Sequence, residues 1–546
     1  MTTLLRHPAF LLLFFAGLPL SACGGGSDGG LGASCDVDDA AACGENLQCS
    51  PTSDGGAVCT LAPGAACSPS GDDERGDCAE DAVCAVPAGA NDELTVCLVT
   101  DGGVCDPDEP YCADELTCAK TTDGEFRCFG RVLLVGDVTD TATSDGVQAA
   151  HVMALDEEGS AVTDIAITSE DGAYELEIPV VRNEDGTPVD TTFTLEGSAQ
   201  GYQHFPLGVR VALPISTEEA EADGPDYVIE NALTRIGLIP LPDAERFLIS
   251  GGLAGLDEDS NVGGALVVAT GENGTFGGVT DLSGAFTIFN VVEGTYTVTV
   301  YANGLQVETY EVTVDAADVI DVVLTEIDEP TTTVTGSVQI VEGGGATSVI
   351  LVVEDTFDEL AARGETPRGL RAPRSGPPSI SGEFTIEGVP NGRYVVLAAY
   401  ENDDLVRDPD TNIAGTDIVH IVVDGSDTTF DISDAFKVTQ ALPTIAPGVD
   451  GPEAISEAPL LEWGDDSSED WYDVRVFDAF GEEVWNALEL PSVSGGGGAS
   501  VQYEGPLDPG MYYQFRVTSW RQPGSGDAAP IATTEDLRGV FFLPAP

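Results

Sequence analysis

The chain has 546 residues, of which 95 are acidic and 20 are lysine or arginine, so its formal net charge at pH 7 is −75. This length predicts several domains. A surface this acidic repels nucleic acid and anionic membranes, which makes both poor direct partners. Hydrophobic residues make up 42% of the sequence, a share typical of folded domains, so the acidity does not indicate disorder.

Residues 1–22 are predicted to be an export signal. A single arginine precedes a short apolar run at 10–16, and this run cannot span a bilayer, which takes about 20 apolar residues. The segment Leu-Ser-Ala-Cys at 20–23 resembles the lipobox of bacterial lipoproteins. That resemblance implies cleavage before Cys23 and attachment of the lipid to Cys23. Gly24 after it implies a lipid-anchored protein of the outer membrane or cell surface.

Residues 23–34 have the composition of a flexible Gly-rich tether, and residues 35–128 hold the twelve other cysteines. Five residues separate the second cysteine from the third in each of three sets of four. The sets are Cys35, Cys43, Cys49 and Cys59; Cys67, Cys78, Cys84 and Cys97; and Cys105, Cys112, Cys118 and Cys128. Tandem repeats this short cannot fold on an apolar core alone, so the even number of cysteines predicts disulfides. Each set allows three pairings, and the sequence does not choose among them.

Zinc binding is the competing interpretation of these cysteines. It is disfavoured because the stretch contains no Cys-x-x-Cys pair and no histidine. The repeats resemble Cys-rich modules found near the N-termini of surface lipoproteins in Gram-negative bacteria with large genomes. The resemblance implies a stalk or a contact role.

From residue 129 onward the pattern changes to short alternating strands between turns, and one motif occurs three times. The copies are SEDGAYEL at 169–176, DLSGAFTI at 281–288 and SISGEFTI at 379–386. Each places a turn glycine two residues before an aromatic residue, and an apolar residue follows two positions later. Because strand side chains alternate, both side chains point to one face. The repeat predicts three homologous β-sandwiches at 130–243, 246–327 and 332–437.

These modules resemble the carboxypeptidase regulatory-like domain, a transthyretin-like β-sandwich. The resemblance rests on the strand Thr-Gly-Ser-Val at 335–338, the Ser-Gly-x-aromatic turn and a Gly-x-Tyr strand. The catalytic partner in that family binds zinc through a His-x-x-Glu pair. None of His151, His204 and His420 is followed by Glu at that spacing. The resemblance therefore implies a structural or binding role and no enzyme.

Residues 440–546 loosely resemble a fibronectin type III-like β-sandwich. The segment Pro-Leu-Leu-Glu-Trp at 459–463 precedes alternating strands at 472–476 and 513–517, whose apolar residues would pack two sheets together. This resemblance implies a fourth sandwich at the end of the chain.

All four tryptophans lie in this last module. Trp463 and Trp485 are predicted to belong to its core. Trp471 and Trp520 lie beside loop-like segments and are candidates for stacking on a sugar or a peptide.

Two short stretches alternate oxygen-bearing side chains in a manner suited to calcium. They are Asp257, Asp259 and Asn261, and Asp408, Asp410 and Asn412. Neither has the glycine and the glutamate that an EF-hand needs at its sixth and twelfth positions. Acidic turns need no ion, so a calcium site and a plain turn both stay open; no other cofactor is predicted.

Residues 363–374 contain four arginines in an otherwise acidic chain. This segment is either a solvated insertion between strands or a contact with an acidic neighbour.

The sequence predicts an all-β fold in which tandem β-sandwich modules follow a disulfide-rich, loop-dominated region. The leading hypothesis is a non-catalytic, lipid-anchored surface protein with a structural, adhesive or display role. The alternative is a carbohydrate- or peptide-binding accessory lipoprotein. The expected partners are the membrane, through the lipid, and polysaccharide or other surface proteins.

Overall fold

The all-β prediction is confirmed by the computed structural model. It describes residues 31, 33–36, 43–51, 56–68, 78–87, 95–113, 115–256, 260–341, 343, 345–359, 363–399, 403–408, 418–433, 435–466, 468–493, 498–522, 524 and 526–545. Across these ranges the regular elements are β-strands and two short 3-10 helices, Thr217–Glu219 and Glu354–Thr356. Within the described residues, no helix combines the length and the apolar character that crossing a membrane takes. The predicted signal and Cys23 lie outside these ranges.

The chain divides into two compact units. The first comprises Met1–Cys118 and Phe126–Phe129, and the second comprises Ala119–Glu125 and Gly130–Pro546.

Short strands in pairs and six disulfides make up the Cys-rich region. The strands are β1 (Leu47–Pro51), β2 (Ala57–Leu61), β3 (Ala82–Ala85), β4 (Val96–Val99), β5 (Leu116–Lys120) and β6 (Phe126–Gly130), paired as β1–β2, β3–β4 and β5–β6. The disulfides are Cys35–Cys49, Cys43–Cys59, Cys67–Cys84, Cys78–Cys97, Cys105–Cys118 and Cys112–Cys128. Every repeat therefore joins its first cysteine to its third and its second to its fourth, one of the three pairings left open by the sequence.

The first sandwich, β7–β16, opens the second unit. Its strands are β7 (Val132–Asp140), β8 (His151–Leu155), β9 (Ala166–Ile167), β10 (Ala173–Glu177), β11 (Thr192–Ser198), β12 (Tyr202–Gln203), β13 (Ile215–Ser216), β14 (Glu221–Asp223), β15 (Asp226–Ile229) and β16 (Arg235–Pro240). One sheet has the order β12-β16-β7-β15-β14 with β10 also on β7, and the other has the order β13-β11-β8-β9. Leu134 and Leu195, from opposite sheets, lie in one buried cluster, so the sheets enclose a common core.

The second sandwich, β17–β23, is the smallest. Its strands are β17 (Phe247–Ala254), β18 (Leu266–Gly271), β19 (Gly274–Val279), β20 (Ala285–Val291), β21 (Gly294–Tyr301), β22 (Tyr310–Val314) and β23 (Val319–Thr325). The sheets have the orders β20-β17-β23 and β19-β18-β21-β22, and Ile249 and Tyr296 meet in the core between them.

The third sandwich, β24–β32, repeats this arrangement. Its strands are β24 (Thr332–Ile340), β25 (Val349–Val353), β26 (Arg371–Ala372), β27 (Glu383–Val389), β28 (Gly392–Ala398), β29 (Leu405–Arg407), β30 (Val419–Val423), β31 (Thr429–Asp431) and β32 (Phe436–Gln440). One sheet has the order β27-β24-β32-β29 with β31 also on β24, and the other has the order β26-β25-β28-β30.

The fourth sandwich, β33–β41, has a different strand order. Its strands are β33 (Thr444–Ala446), β34 (Glu453–Ala454), β35 (Leu460–Trp463), β36 (Trp471–Asp478), β37 (Glu483–Pro491), β38 (Ala499–Gln502), β39 (Tyr512–Arg521), β40 (Ala529–Thr533) and β41 (Val540–Phe542). Its sheets have the orders β33-β35-β38 and β34-β41-β39-β36-β37, with β40 also on β39.

The threefold sequence motif marks the same place in the first three sandwiches. Its aromatic residues, Tyr174, Phe286 and Phe384, are buried on β10, β20 and β27. Each of these strands pairs antiparallel with the first strand of its sandwich. That first strand also pairs in parallel with a strand near the end of the same sandwich. The turn glycines Gly172 and Gly284 have φ of 83° and 81°, a conformation that side chains disfavour.

Polar side chains make hydrogen bonds from one sandwich to another. Asn290 of the second sandwich donates to the backbone oxygens of Ala199 and Tyr202 in the first, at 3.1 and 2.8 Å. Gln203 of the first donates to the oxygen of Ala479 in the fourth, at 2.8 Å. Together with the contact of Arg368 in the third sandwich with Asn261 in the second, these hydrogen bonds lie within the single compact unit that contains all four sandwiches.

Candidate ligand-binding site

The structure brings Trp471 and Trp520 together. Trp471 opens β36, and Trp520 lies near the end of β39, directly opposite it in the antiparallel pair. The two rings are parallel to within 2°, with their centroids 6.1 Å apart. Both side chains are half-buried, whereas their neighbours Tyr472 and Ser519 are fully buried. Because strand side chains alternate, both tryptophans lie on the outer face of this sheet.

Prolines extend the pair into a row across four strands. Trp471 is opposite Pro491 on β37, and Trp520 is opposite Pro530 on β40. We call Pro491, Trp471, Trp520 and Pro530 the tryptophan row. The sequence indicated both tryptophans, but the distance of about fifty positions between them hides the register that makes them neighbours.

The other end of the same sheet face is covered. Tyr512, which shares the outer face of β39 with Trp520, lies under the guanidinium of Arg210 from the first sandwich, 4.8 Å from its ring centroid. Val209 and Ile239 of the first sandwich form a buried cluster with Ala479 and Val540 of the fourth. The face thus has one end packed against protein and one end that carries the tryptophan row.

Polar groups flank the tryptophan row. Asp473 and Thr518 are opposite each other, two positions along their strands from the tryptophans. One carboxylate oxygen of Asp473 accepts from the backbone N–H of Glu489 at 2.8 Å. The indole nitrogen of Trp520 is buried without a hydrogen-bond partner among the described residues.

The remaining tryptophans lie in or against the core. Trp463 is 1% exposed and packs edge-on against Tyr472, with ring centroids 5.4 Å apart, as predicted for a core residue. Trp485 is partly buried against the same cluster.

A cavity that the sequence did not indicate lies where the first three sandwiches meet. Its volume is about 360 Å³. It is lined by Glu196 of β11, by His204 directly after β12, and by Glu365 and Arg368 of the Arg-rich segment. His204 Nε2 lies 3.2 Å from Glu365 Oε1, which joins the first sandwich to the third.

The surroundings in this cavity shift the pKa values of Glu196 and His204. Both side chains are partly exposed to the cavity and otherwise surrounded by protein. This removal from bulk water raises the pKa of Glu196 to about 7. For His204 the same desolvation acts to lower the pKa, but the carboxylates of Glu365 and Glu196 outweigh it, and the pKa is raised.

We expect the folded chain to lose stability as the pH rises from about 5 to about 8. The folded pKa of Glu196 exceeds its ordinary value of 4.5, and that of His204 exceeds 6.5, so the folded state binds both protons more tightly than the unfolded state. Stability is greatest below the ordinary values and is lost through the raised ones. Thermal unfolding of Glu196→Gln at pH 8 should give a midpoint a few degrees above that of the wild type.

Glu383→Gln, an exposed change on β27, is the matched control and should leave the pH profile unchanged. Parallel profiles for Glu196→Gln and the wild type between pH 5 and pH 8 would contradict the expectation.

The Arg-rich segment at 363–374 contacts acidic and polar neighbours, the second of the two alternatives raised by the sequence. Arg374 Nε lies 2.9 Å from a carboxylate oxygen of Glu158 in the first sandwich. Arg368 is buried and donates to the backbone oxygen of Asn261 at 2.7 Å. Its burial lowers the pKa of the guanidinium. The segment therefore forms one wall of the cavity.

The calcium candidates are only partly within the described residues. Asp257, Asp259, Asp410 and Asn412 lie outside them. The backbone oxygen of Asn261 is already used by Arg368, and Asp408 is buried. The groups of described His, Cys, Asp and Glu residues spaced to hold a metal ion consist of disulfide-bonded cysteines. Calcium binding stays a prediction.

Comparison with known proteins yields one family match. Residues 262–322, within the second sandwich, match the family described as "Polysaccharide lyase family 4, domain II". The match covers a small part of the chain. No curated protein sequence matches this chain. The carboxypeptidase regulatory-like and lipoprotein resemblances stay predictions.

Several solved structures are similar over longer stretches. The Bacillus anthracis TIE protein is 10% identical, with 75% of this chain and 73% of that chain covered and a TM-score of 0.13. A streptococcal ancillary pilin is 12% identical, with 56% and 98% covered and a TM-score of 0.15. BcpA, the major pilin subunit of Bacillus cereus, is 9% identical, with 57% and 100% covered and a TM-score of 0.15. Identities and TM-scores this low carry no argument about function.

Proposed function

We propose that this chain is a non-catalytic, lipid-anchored cell-surface protein with a structural or adhesive role. The observation that carries the proposal is the joining of four sandwiches into one compact unit. Buried polar side chains such as Gln203 and Arg368 cross between sandwiches, and each would leave unpaired groups if its junction opened. A unit of this kind suits display of a fixed surface.

The Cys-rich region supports an extracellular setting. Six disulfides persist in oxidising compartments and are rare where thiols are kept reduced. The signal at 1–22 and the lipobox ending at Cys23 supply the export and anchoring that the proposal needs.

Replacement of Cys23 by serine is expected to move nearly all of the protein from the membrane fraction to the soluble fraction. The reason is that the thiol is the proposed point of acylation, and each buried methylene of an acyl chain contributes about 0.8 kcal/mol to membrane binding. Fractionation of producing cells, followed by immunoblotting, measures the distribution. Ser27→Ala, four residues further along the tether, is the control and should stay with the membrane. Unchanged fractionation of Cys23→Ser would overturn the lipid anchor.

Outward display is tested on intact cells. Proteinase K added outside should digest the wild-type protein without permeabilisation of the outer membrane. Protection in intact cells, with digestion only after permeabilisation, would place the chain on the inner side and overturn the surface role.

A further inference from the structure

The tryptophan row is an apolar strip on a strongly acidic protein. Its members share the open end of the outer sheet face, and Leu488 on the edge strand β37 is a further exposed apolar residue (46% exposed). Single exposed apolar residues are common, but a contiguous set marks a contact surface. At the covered end of the same face, Tyr512 is packed against a cluster that the first and fourth sandwiches share. Apolar side chains on this face are thus able to form a contact when a partner is present.

The two tryptophan rings indicate which kind of partner fits this surface. Parallel aromatic faces pack well against the C–H faces of a pyranose ring, and the hydroxyl groups around that ring then need polar partners beside the stack. Asp473 and Thr518, in the adjacent row, provide an acceptor and a hydroxyl group. An apolar strip beside a polar strip therefore fits the amphipathic surface of a sugar chain.

Charge and the strand edges disfavour other partners. The net charge of −75 and the acidic loop before Trp471, with Asp465, Asp466, Glu469 and Asp470, repel anionic polymers. Strand addition by a peptide needs free edge N–H groups, and prolines end the row on both edge strands, β37 and β40. The buried N–H of Trp520 cannot bond to a peptide carbonyl group.

We infer that the tryptophan row binds an uncharged polysaccharide, which stacks on Trp471 and Trp520 and is hydrogen-bonded by the adjacent polar row. The inference names a class of ligand for the proposed adhesive role, and its biological setting rests on that proposed function. The binding itself is a property of the protein free of membranes and is tested without the anchor.

The experiment uses the whole mature chain, residues 23–546, carrying Cys23→Ser and purified with its disulfides oxidised. Cosedimentation with cellulose and chitin, and affinity electrophoresis in gels containing xylan, mannan or alginate, measure binding. The wild-type surface should bind at least one uncharged polysaccharide and not the anionic alginate. Trp471→Ala and Trp520→Ala should each weaken binding roughly tenfold, and the double variant should abolish it.

Tyr310→Ala is the matched control, because Tyr310 is an aromatic residue 49% exposed on a strand of the second sandwich. It should bind like the wild type. Trp471→Phe keeps an aromatic face and should retain part of the affinity, which separates stacking from misfolding. Near-ultraviolet circular dichroism checks the fold of each variant.

Several results would overturn the inference. These are failure of the wild type to bind any uncharged polysaccharide in the panel, equal binding by the double variant, and preferential binding of alginate. If the tryptophan changes altered only binding to a peptide array, the row would be a peptide-binding site. If they altered only a concentration-dependent dimer, the row would be an interface with a second copy of this chain. Because the protein is soluble in this assay, a negative result leaves the membrane and display tests of the proposed function unaffected.

Discussion

Reduction of the six disulfides is expected to unfold the Cys-rich region while the second unit keeps its structure. The disulfides close loops with sequence separations between 13 and 19 residues. By the chain-entropy argument, a loop of this size stabilises the folded state by about 3 kcal/mol. The apolar clusters of the region are small and consist largely of the cysteines themselves, so little stability remains once the cross-links are gone. No cysteine lies beyond Cys128.

Limited proteolysis with and without dithiothreitol measures this effect. The reduced protein should be cleaved between residues 31 and 118, and a resistant fragment that begins near Gly130 should keep a β-type circular dichroism spectrum. The oxidised protein, treated in the same way, is the control. Cooperative loss of all structure on reduction would show that the sandwiches depend on the disulfides and would contradict the expectation.

Arg210→Ala is expected to lower the free energy of unfolding of the second unit by about 3 kcal/mol. The Arg210 side chain is 4% exposed and lies between two aromatic rings, 4.9 Å from the centroid of Phe205 and 4.8 Å from that of Tyr512. It also donates to the backbone oxygen of Gly237. Truncation removes two desolvated cation–π contacts, leaves this carbonyl group without its donor and opens a void between the first and fourth sandwiches.

Arg235→Ala is the matched control for this prediction. Arg235 lies on the same sandwich, but its side chain is 65% exposed, and its nearest carboxylate oxygen, on Asp137, is 3.4 Å away. An exposed pair of this kind contributes at most about 1 kcal/mol. Urea denaturation of Arg210→Ala, Arg210→Met and Arg235→Ala distinguishes the effects of charge and volume. A change below about 1 kcal/mol for Arg210→Ala would mean that this junction does not stabilise the unit.

The sandwiches could be predicted from the sequence because their signals are local. A turn glycine, an aromatic residue and strict alternation lie within eight residues of one another, and Tyr174, Phe286 and Phe384 accordingly occupy equivalent buried positions. The cysteine count likewise predicts disulfides. The common pairing within each repeat depends on which strands bring the sulfur atoms together, and spacing alone does not specify it.

The candidate sites were harder to predict because they form between distant segments. The cavity brings together Glu196, His204 and Glu365 only when the first sandwich packs against the third. The spacing of these residues along the chain does not predict that contact. The two tryptophans were recognised one by one from their surroundings in sequence. Their pairing follows from the register of β36 with β39, which depends on the loops between these strands.

The strand order of the first three sandwiches also governs when each of them can fold. β7 pairs with β16, β17 with β23, and β24 with β32, so the opening strand of each of these three sandwiches acquires one of its two neighbours only from the C-terminal end of that sandwich. Such long-range pairing forms late and slowly. Synthesis begins at the N-terminus, so each sandwich can complete its fold only after its last strand has left the ribosome. The three sandwiches therefore fold one after another. A stop codon ahead of these C-terminal strands leaves the opening strand with its antiparallel partner but with its other edge unpaired, and such an edge is prone to aggregate.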